Sequence, residues 1–208
     1  MSKKLCIYGA GGFAKEVYWL ALQCGCEVDA FIDLYAGGYF YGTKVESEDY
    51  FDPSRHLAVV AVGSPKLRKK IVDQIRVRHG EGVFKTLVSP SANLMDPSII
   101  VGYGSVICAN CILTCDITLG PWSQLNLATT IGHDVQTGAF FTTAPGVHIS
   151  GKVTANDLVY FGTNSSTVED ITICENVTIG AAACVAKDIV EGGTYVGVPA
   201  KKLEKKNG

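Results

Sequence analysis

From residue 95 the hydrophobic positions of the chain recur every six residues. Read in frame, the stretch runs from MDPSII and VGYGSV through LNLATT, IGHDVQ and TGAFFT to VAKDIV, sixteen hexads without an insertion. An aliphatic residue, Met or Phe opens twelve of them, and Thr137, Thr143, Ala155 and Thr167 open the others. Glycine recurs at the second position, and the fifth is mostly Val, Ile or a small residue. A repeat of this kind predicts a parallel β-helix, in which each hexad supplies a short strand and a corner. Three hexads, about 18 residues, close one coil, with first-position side chains stacked inward. Glycine at the second position is expected where the backbone turns. "FKTLVSPSANL" before the repeat joins it to what precedes, or forms an irregular first coil.

The earlier part of the chain alternates strand and helix instead. "KLCIYGA" reads as a short apolar strand, followed by a helix from Ala14 to about Cys24 that Gly25 closes. "EVDAFID" is a second strand with Asp33 at its end. A tyrosine- and glycine-rich loop, "LYAGGYFYGTKVESEDYFD", leads to a third strand, "HLAVVAVG". Ser64 suits the N-cap of the next helix and Pro65 its first turn. Leu67, Ile71 and Ile75 share one face of that helix, and Gly80 stops it. Lys66, Arg68, Lys69 and Lys70 read as its solvated face. Such alternation means a parallel sheet. The expected domains are a Rossmann-like α/β unit over residues 1–83 and the β-helix with its tail over 84–208.

Composition narrows the function. The chain has 208 residues and a formal net charge of −2, so no basic face points to nucleic acid. No apolar run approaches a membrane span, and the short apolar start, followed at once by Lys15 and Glu16, does not make a signal peptide. A cytoplasmic protein is expected. Of eight cysteines, Cys108 and Cys111 make one CxxC, with no second pair or nearby His to complete a zinc set. They read as small buried hydrophobes, and no metal is expected.

Two groups of residues carry chemistry. In IGHDVQ, His133 is the third residue, at or just after a corner and facing outward, with Asp134 beside it. Such a histidine could be a plain exposed residue. Neighbours in a regular strand face opposite ways, so His133 and Asp134 pair only if the corner turns them together. One coil later stands Gly151, stacked about 4.8 Å away, where a backbone N–H could reach a developing oxyanion. The second group is "GAGGFA", Gly9 to Ala14, which fits G-x-G-x-x-A between a strand and a helix. Helix N-termini and bare glycine amides favour phosphate. Asp33 stands where such folds set an acid against a ribose or base. Gly63 and Ser64 would form the other side of the crevice.

Together the hexads, "IGHD" and "GGTYVGVPAKKL" resemble the left-handed β-helix acyltransferases. With "IYGAGGFAKEV" in front, the chain resembles the PglD/NeuD-type sugar acetyltransferases over essentially its whole length. The resemblance implies acetyl transfer from acetyl-CoA to the 4-amino group of a nucleotide-linked amino-deoxy sugar, for surface polysaccharide biosynthesis. It also implies a homotrimer with active sites between adjacent β-helices. Carried over residue by residue, it makes His133 the general base, a role worth roughly 10²–10⁴ in rate, and Asp134 the group that orients it. It places Gly151 at the acetyl group, Thr163 and Ala181 on CoA, and "GVPAKK" nearby. Asn126 would line the site, unless it is an internal ladder residue. Gly9, Gly11, Gly12, Phe13, Asp33, Gly63 and Ser64 would hold the nucleotide-sugar.

The chain departs from the pattern in three places. Thr142 stands where some members carry a second histidine, Phe13 where many have His, and Ala181 where the family has glycine. His56, His79 and His148 read as structural. The competing expectations are an O-acetyltransferase of sialic acid or a related sugar and a non-catalytic nucleotide-sugar sensor. A zinc carbonic anhydrase would need a third histidine in the repeat, and an NAD-dependent oxidoreductase would leave the hexads without a role.

Overall fold

The computed structural model describes residues 2–204 in two compact units. One runs to Pro90 and takes in Tyr103–Val106; the other holds Ser91–Gly102 and everything from Ile107. The strand–helix pattern alone suggests a division at residue 83, and the outer limits expected at 1 and 208 lie outside the described residues.

The first unit is built on β1 (Lys4–Tyr8), α1 (Gly12–Gln23), β2 (Val28–Ile32), β3 (Tyr39–Phe40), β4 (Thr43–Glu46), β5 (His56–Val60) and α2 (Pro65–His79). The sheet order is β3-β4-β2-β1-β5, parallel except for the β3–β4 hairpin. Cys6, Ile7, Ala30, Phe31, Ala58 and Val59 are fully buried at its centre. The tyrosine-rich stretch expected as loop therefore contributes two strands. Tyr41 and Gly42 turn the hairpin at φ 52° and 76°, a two-residue loop with both residues left-handed. Tyrosine gives no sequence signal for that conformation, so the hairpin stays hidden in the pattern.

Along α2 the buried residues are Pro65, Arg68, Val72 and Ile75. The row of Leu67, Ile71 and Ile75 is graded: Leu67 is exposed, Ile71 half-buried and Ile75 fully buried. One expectation is corrected. Arg68, expected in a solvated face, is 1% exposed, and its guanidinium donates to the Val62 carbonyl at 2.8 Å and the Gly63 carbonyl at 3.4 Å. The helix uses a buried cation to fix the loop that enters it.

The second unit is a three-sided parallel β-helix. Short strands recur about every six residues, and strands of successive coils pair eighteen residues apart, as Thr130 does with His148 and Gln136 with Thr154. First-position residues from Ile107 to Val185 are all buried, including the four that break the apolar pattern. Met95, at the start of the repeat, is 61% exposed and lies outside that stack. The inward threonines are satisfied. Thr137, Thr143 and Thr167 each accept, through Oγ1, the N–H of the second-position residue one coil earlier: Gly120, Asn126 and Ser150. A buried hydroxyl so paired avoids the cost of an unmade hydrogen bond.

The corners lie at the third and fourth positions. Every fourth-position residue from Gly104 to Ala182 has φ near +60°, among them Trp122, Asp134, Phe140 and Leu158. The second-position glycines answer a different need from the one expected. A Cβ on Gly132 would stand 2.7 Å from the Gly151 nitrogen, and one on Gly120 2.3 Å from Gly138 backbone. Close approach of the next coil, not the turn, excludes a side chain there. A hairpin of Gly193–Val196 and Lys201–Lys202 ends the unit.

Candidate active site

At the corner after strand Thr130–Ile131, the left-handed backbone of Asp134, φ 59°, swings its side chain to the same side as His133. His133 Nδ1 and Asp134 Oδ2 lie 2.7 Å apart. A carboxylate only accepts, so Nδ1 carries a proton, and in the neutral ring that leaves the lone pair on Nε2. The pair is about half exposed, 49% and 52%, within reach of an incoming ligand. The corner thus does what a straight strand would not.

Gly151 occupies the same corner one coil on, where Lys152 N–H donates to the His133 carbonyl at 2.7 Å. A Cβ at Gly151 would stand 2.6 Å from His133 Nε2. The imidazole therefore lies over a bare Cα, and the repeat brings the two predicted residues together. Thr163 and Ala181 stack at a different corner, where Ala182 N–H donates to the Thr163 carbonyl. The Gly197 carbonyl accepts from Cys184 N–H, and Ala200 N–H donates to the Cys184 carbonyl, so "GVPAKK" packs on the coil that bears Ala181. Lys202 pairs with Glu191 and Lys201 is exposed. Asn126 is half-buried, and its Oδ1 caps the N–H of Leu127 at 2.7 Å rather than joining an internal ladder. His148 sits outward, its Nδ1 2.8 Å from Thr130 Oγ1.

In the first unit, Gly11 is the N-cap of α1, with no side-chain cap, and the first turn holds no acidic residue. Added side chains at Gly11, Gly12 or Gly63 would meet open space, so their backbone is bare by sequence and not by packing. Gly9 is different: φ is 107°, a conformation that costs other residues dearly. Phe13 follows in the first turn, half-buried. Ser64 caps α2 as expected, accepting from Leu67 N–H at 3.4 Å. Asp33 is turned to the backbone: Ala10 N–H donates to Oδ2 at 2.9 Å and Tyr35 N–H to Oδ1 at 3.2 Å. It shapes the glycine loop, where the sequence suggests contact with a ribose or base.

A cavity of about 360 Å³ opens at the C-terminal ends of β1 and β2, where Gly9 and Asp33 meet Val62, Leu67 and Lys70. The strand order reverses there, between β1 and β5, the place where open α/β sheets bind ligands. Lys70, expected as solvated, thus faces the cavity together with Leu67. The apolar row of α2 was legible; its partner was not. No helix among the described residues is long and apolar enough to cross a membrane, and no group of three or more His, Cys, Asp or Glu among them is placed to hold a metal.

A family model described as the PglD N-terminal domain matches residues 4–75. The chain is 27% identical to GDP-perosamine N-acetyltransferase of Escherichia coli O157:H7 over 169 residues, 76% of this chain and 75% of that one. The acetyltransferase domain of PglB from Neisseria gonorrhoeae, solved with acetyl coenzyme A, matches with a TM-score of 0.90 and 31% identity. That match covers 98% of this chain and all of the other. PerB from Caulobacter crescentus, solved with CoA and GDP-perosamine, matches with a TM-score of 0.88 and 26% identity over 97% of each chain. The fold in common is a Rossmann-like unit followed by a left-handed parallel β-helix.

Proposed function

The chain belongs to the PglD/NeuD-type sugar acetyltransferase family, and from that premise we propose how its own residues do the work. The reaction is acetyl-CoA-dependent N-acetylation of a nucleotide-linked amino sugar. Our reading places the acetyl group on the 4-amino group of an amino-deoxy sugar, with His133 as general base. The 2.7 Å pair of His133 and Asp134, with Nε2 over Gly151, carries that reading.

The neutral amine attacks the thioester carbonyl, and His133 Nε2 takes the proton that the nitrogen sheds. Asp134 keeps the proton on Nδ1 and stabilises the imidazolium that forms. The Gly151 N–H donates to the oxyanion of the tetrahedral intermediate. Collapse breaks the carbon–sulfur bond and expels CoA thiolate, which takes up from His133 the proton that the amine shed. The glycine loop, Asp33, Gly63 and Ser64 hold the nucleotide, while Thr163 and Ala181 take CoA. Those two stand on a different corner from His133, which suits a site completed between copies in a homotrimer. The proposed compartment is the cytoplasm.

The test is release of CoA thiol from acetyl-CoA with a panel of UDP-, dTDP- and GDP-linked 4-amino-4,6-dideoxy sugars, wild type beside His133→Asn. Turnover of one sugar, reduced roughly 10²-fold or more in the variant, is the expected result. Undiminished turnover in the variant removes His133 from the chemistry. Acetylation of sialic acid in place of every amino sugar would move the reaction to a hydroxyl.

A further inference from the structure

The cavity of the first unit contains polar groups that the acetyl transfer does not use. Its walls are apolar where Ile32, Leu67 and Ile71 face it, which suits a planar ring. Two carboxylates line it: Asp33, and Glu48 from the 3₁₀ turn Glu48–Tyr50 after β4, with Lys70 and Gln74 beside them. The Glu48 side chain is 28% exposed. Tyr8 O–H donates to its Oε1 at 3.3 Å, and His79 Nε2 lies 3.5 Å from the same oxygen. The Tyr8 hydroxyl thus ties down one oxygen of the carboxylate. The other carboxylate of the cavity, Asp33, already accepts from two backbone amides.

A carboxylate only accepts hydrogen bonds, so it discriminates among bases by their donors. Guanine presents two adjacent donors on its Watson–Crick edge, N1–H and the 2-amino group, which a carboxylate can take with both oxygens. Uracil and thymine offer one N–H between two carbonyls, whose oxygens repel a carboxylate. Adenine and cytosine set an amino group beside a ring nitrogen that is itself an acceptor. Lys70 and Gln74 supply donors suited to the guanine O6.

We propose that Glu48 reads the Watson–Crick edge of guanine, so that the acceptor is a GDP-linked amino sugar. This rests on the reading of the first unit as the nucleotide-sugar site, and extends it to the base.

The test is titration calorimetry of the full chain with GDP, IDP, UDP and dTDP, for wild type and Glu48→Gln. Melting temperature and acetyl-CoA binding serve as controls of the fold. Wild type is expected to bind GDP roughly tenfold or more tighter than the other three, the scale of a paired base contact. IDP lacks only the 2-amino group, so its weakness tests the contact without any variant. Glu48→Gln should remove the preference while leaving acetyl-CoA binding unchanged. Equal binding of GDP and IDP by wild type, or a uniform loss for all four ligands in the variant, overturns the assignment. Tighter binding of UDP or dTDP overturns the base alone and leaves the nucleotide-sugar reading standing. If none of the four binds, that reading falls as well.

Discussion

The imidazole of His133 rests over the Cα of Gly151, one coil away, so closely that a methyl group there would stand 2.6 Å from Nε2 and 2.7 Å from Cε1. Gly151 has no left-handed backbone angle, so alanine is conformationally acceptable at this position and conflicts only with the ring. The half-exposed imidazole has room to swing outward. Gly151→Ala is therefore expected to leave the melting temperature almost unchanged and to lower kcat roughly 10²-fold, the cost of misplacing a reacting group by about 1 Å. Wild-type turnover in this variant would separate the glycine from the chemistry.

Asp134 has two roles, one in the backbone and one in the side chain. Its φ of 59° makes the corner, and its Oδ2 accepts from His133 Nδ1. Asparagine tolerates the left-handed conformation well, so Asp134→Asn preserves the turn and removes only the charge. The imidazolium then loses its partner, and kcat should fall roughly 10²-fold at near-normal KM for both substrates. Asp134→Ala should also lose about 1–2 kcal/mol of stability, because alanine pays for the left-handed corner. Thermal melts of the two variants, side by side with their rates, distinguish turn from charge.

The periodicity made the β-helix legible, because inward positions repeat every six residues whatever else the hexad contains. The stacking of Gly151 on His133 followed from coil length alone. Other features left no trace. Left-handed corners at Trp122, Phe140 and Leu158 are imposed by the coil on residues that give no local signal for them. The second-position glycines were visible, but their cause lies in the neighbouring coil. Asp33 was found and its position anticipated; the direction of its side chain depends on the Ala10 and Tyr35 amides. Along α2 the spacing put Leu67, Ile71 and Ile75 on one face, and that face divides: Ile75 lies in the core, while Leu67 and Ile71 line a cavity. Periodicity reports which residues avoid water, and a ligand cleft and a core share that preference.

Arg68 was the least legible residue, since a cation in a run of cations reads as surface. Its guanidinium fixes the Val62 and Gly63 carbonyls at the mouth of the crevice. Arg68→Met keeps the volume and removes the donors, which should cost about 1–3 kcal/mol of stability. The KM for the nucleotide-sugar should rise several-fold, while that for acetyl-CoA stays in place. A rise in both KM values together would reveal general loosening and not a local role in the crevice.

Acid should weaken the first unit through Asp29. Tyr50 O–H donates to its Oδ2 at 2.8 Å, and His56 Nε2 lies 3.0 Å from the same oxygen, while Lys4 pairs with Oδ1 at 3.4 Å. His56 Nδ1 accepts from Asp52 N–H, so Nε2 carries the proton given to Asp29. Burial pushes the Asp29 carboxyl upward, but the hydrogen bonds from Tyr50, Lys4 and His56 outweigh it and hold the group below its ordinary 3.8. The unfolded chain therefore takes up this proton more readily than the folded one. The stabilisation is complete above the unfolded value of about 3.9 and is lost as pH falls through the lower, folded value. Urea unfolding of wild type from about pH 6 downward should show a midpoint that holds until near pH 4 and then declines. Asp29→Asn should begin lower and decline less over the same interval. Parallel pH profiles for the two proteins would mean that Asp29 titrates alike in both states, and that its hydrogen bonds do not favour the charged form.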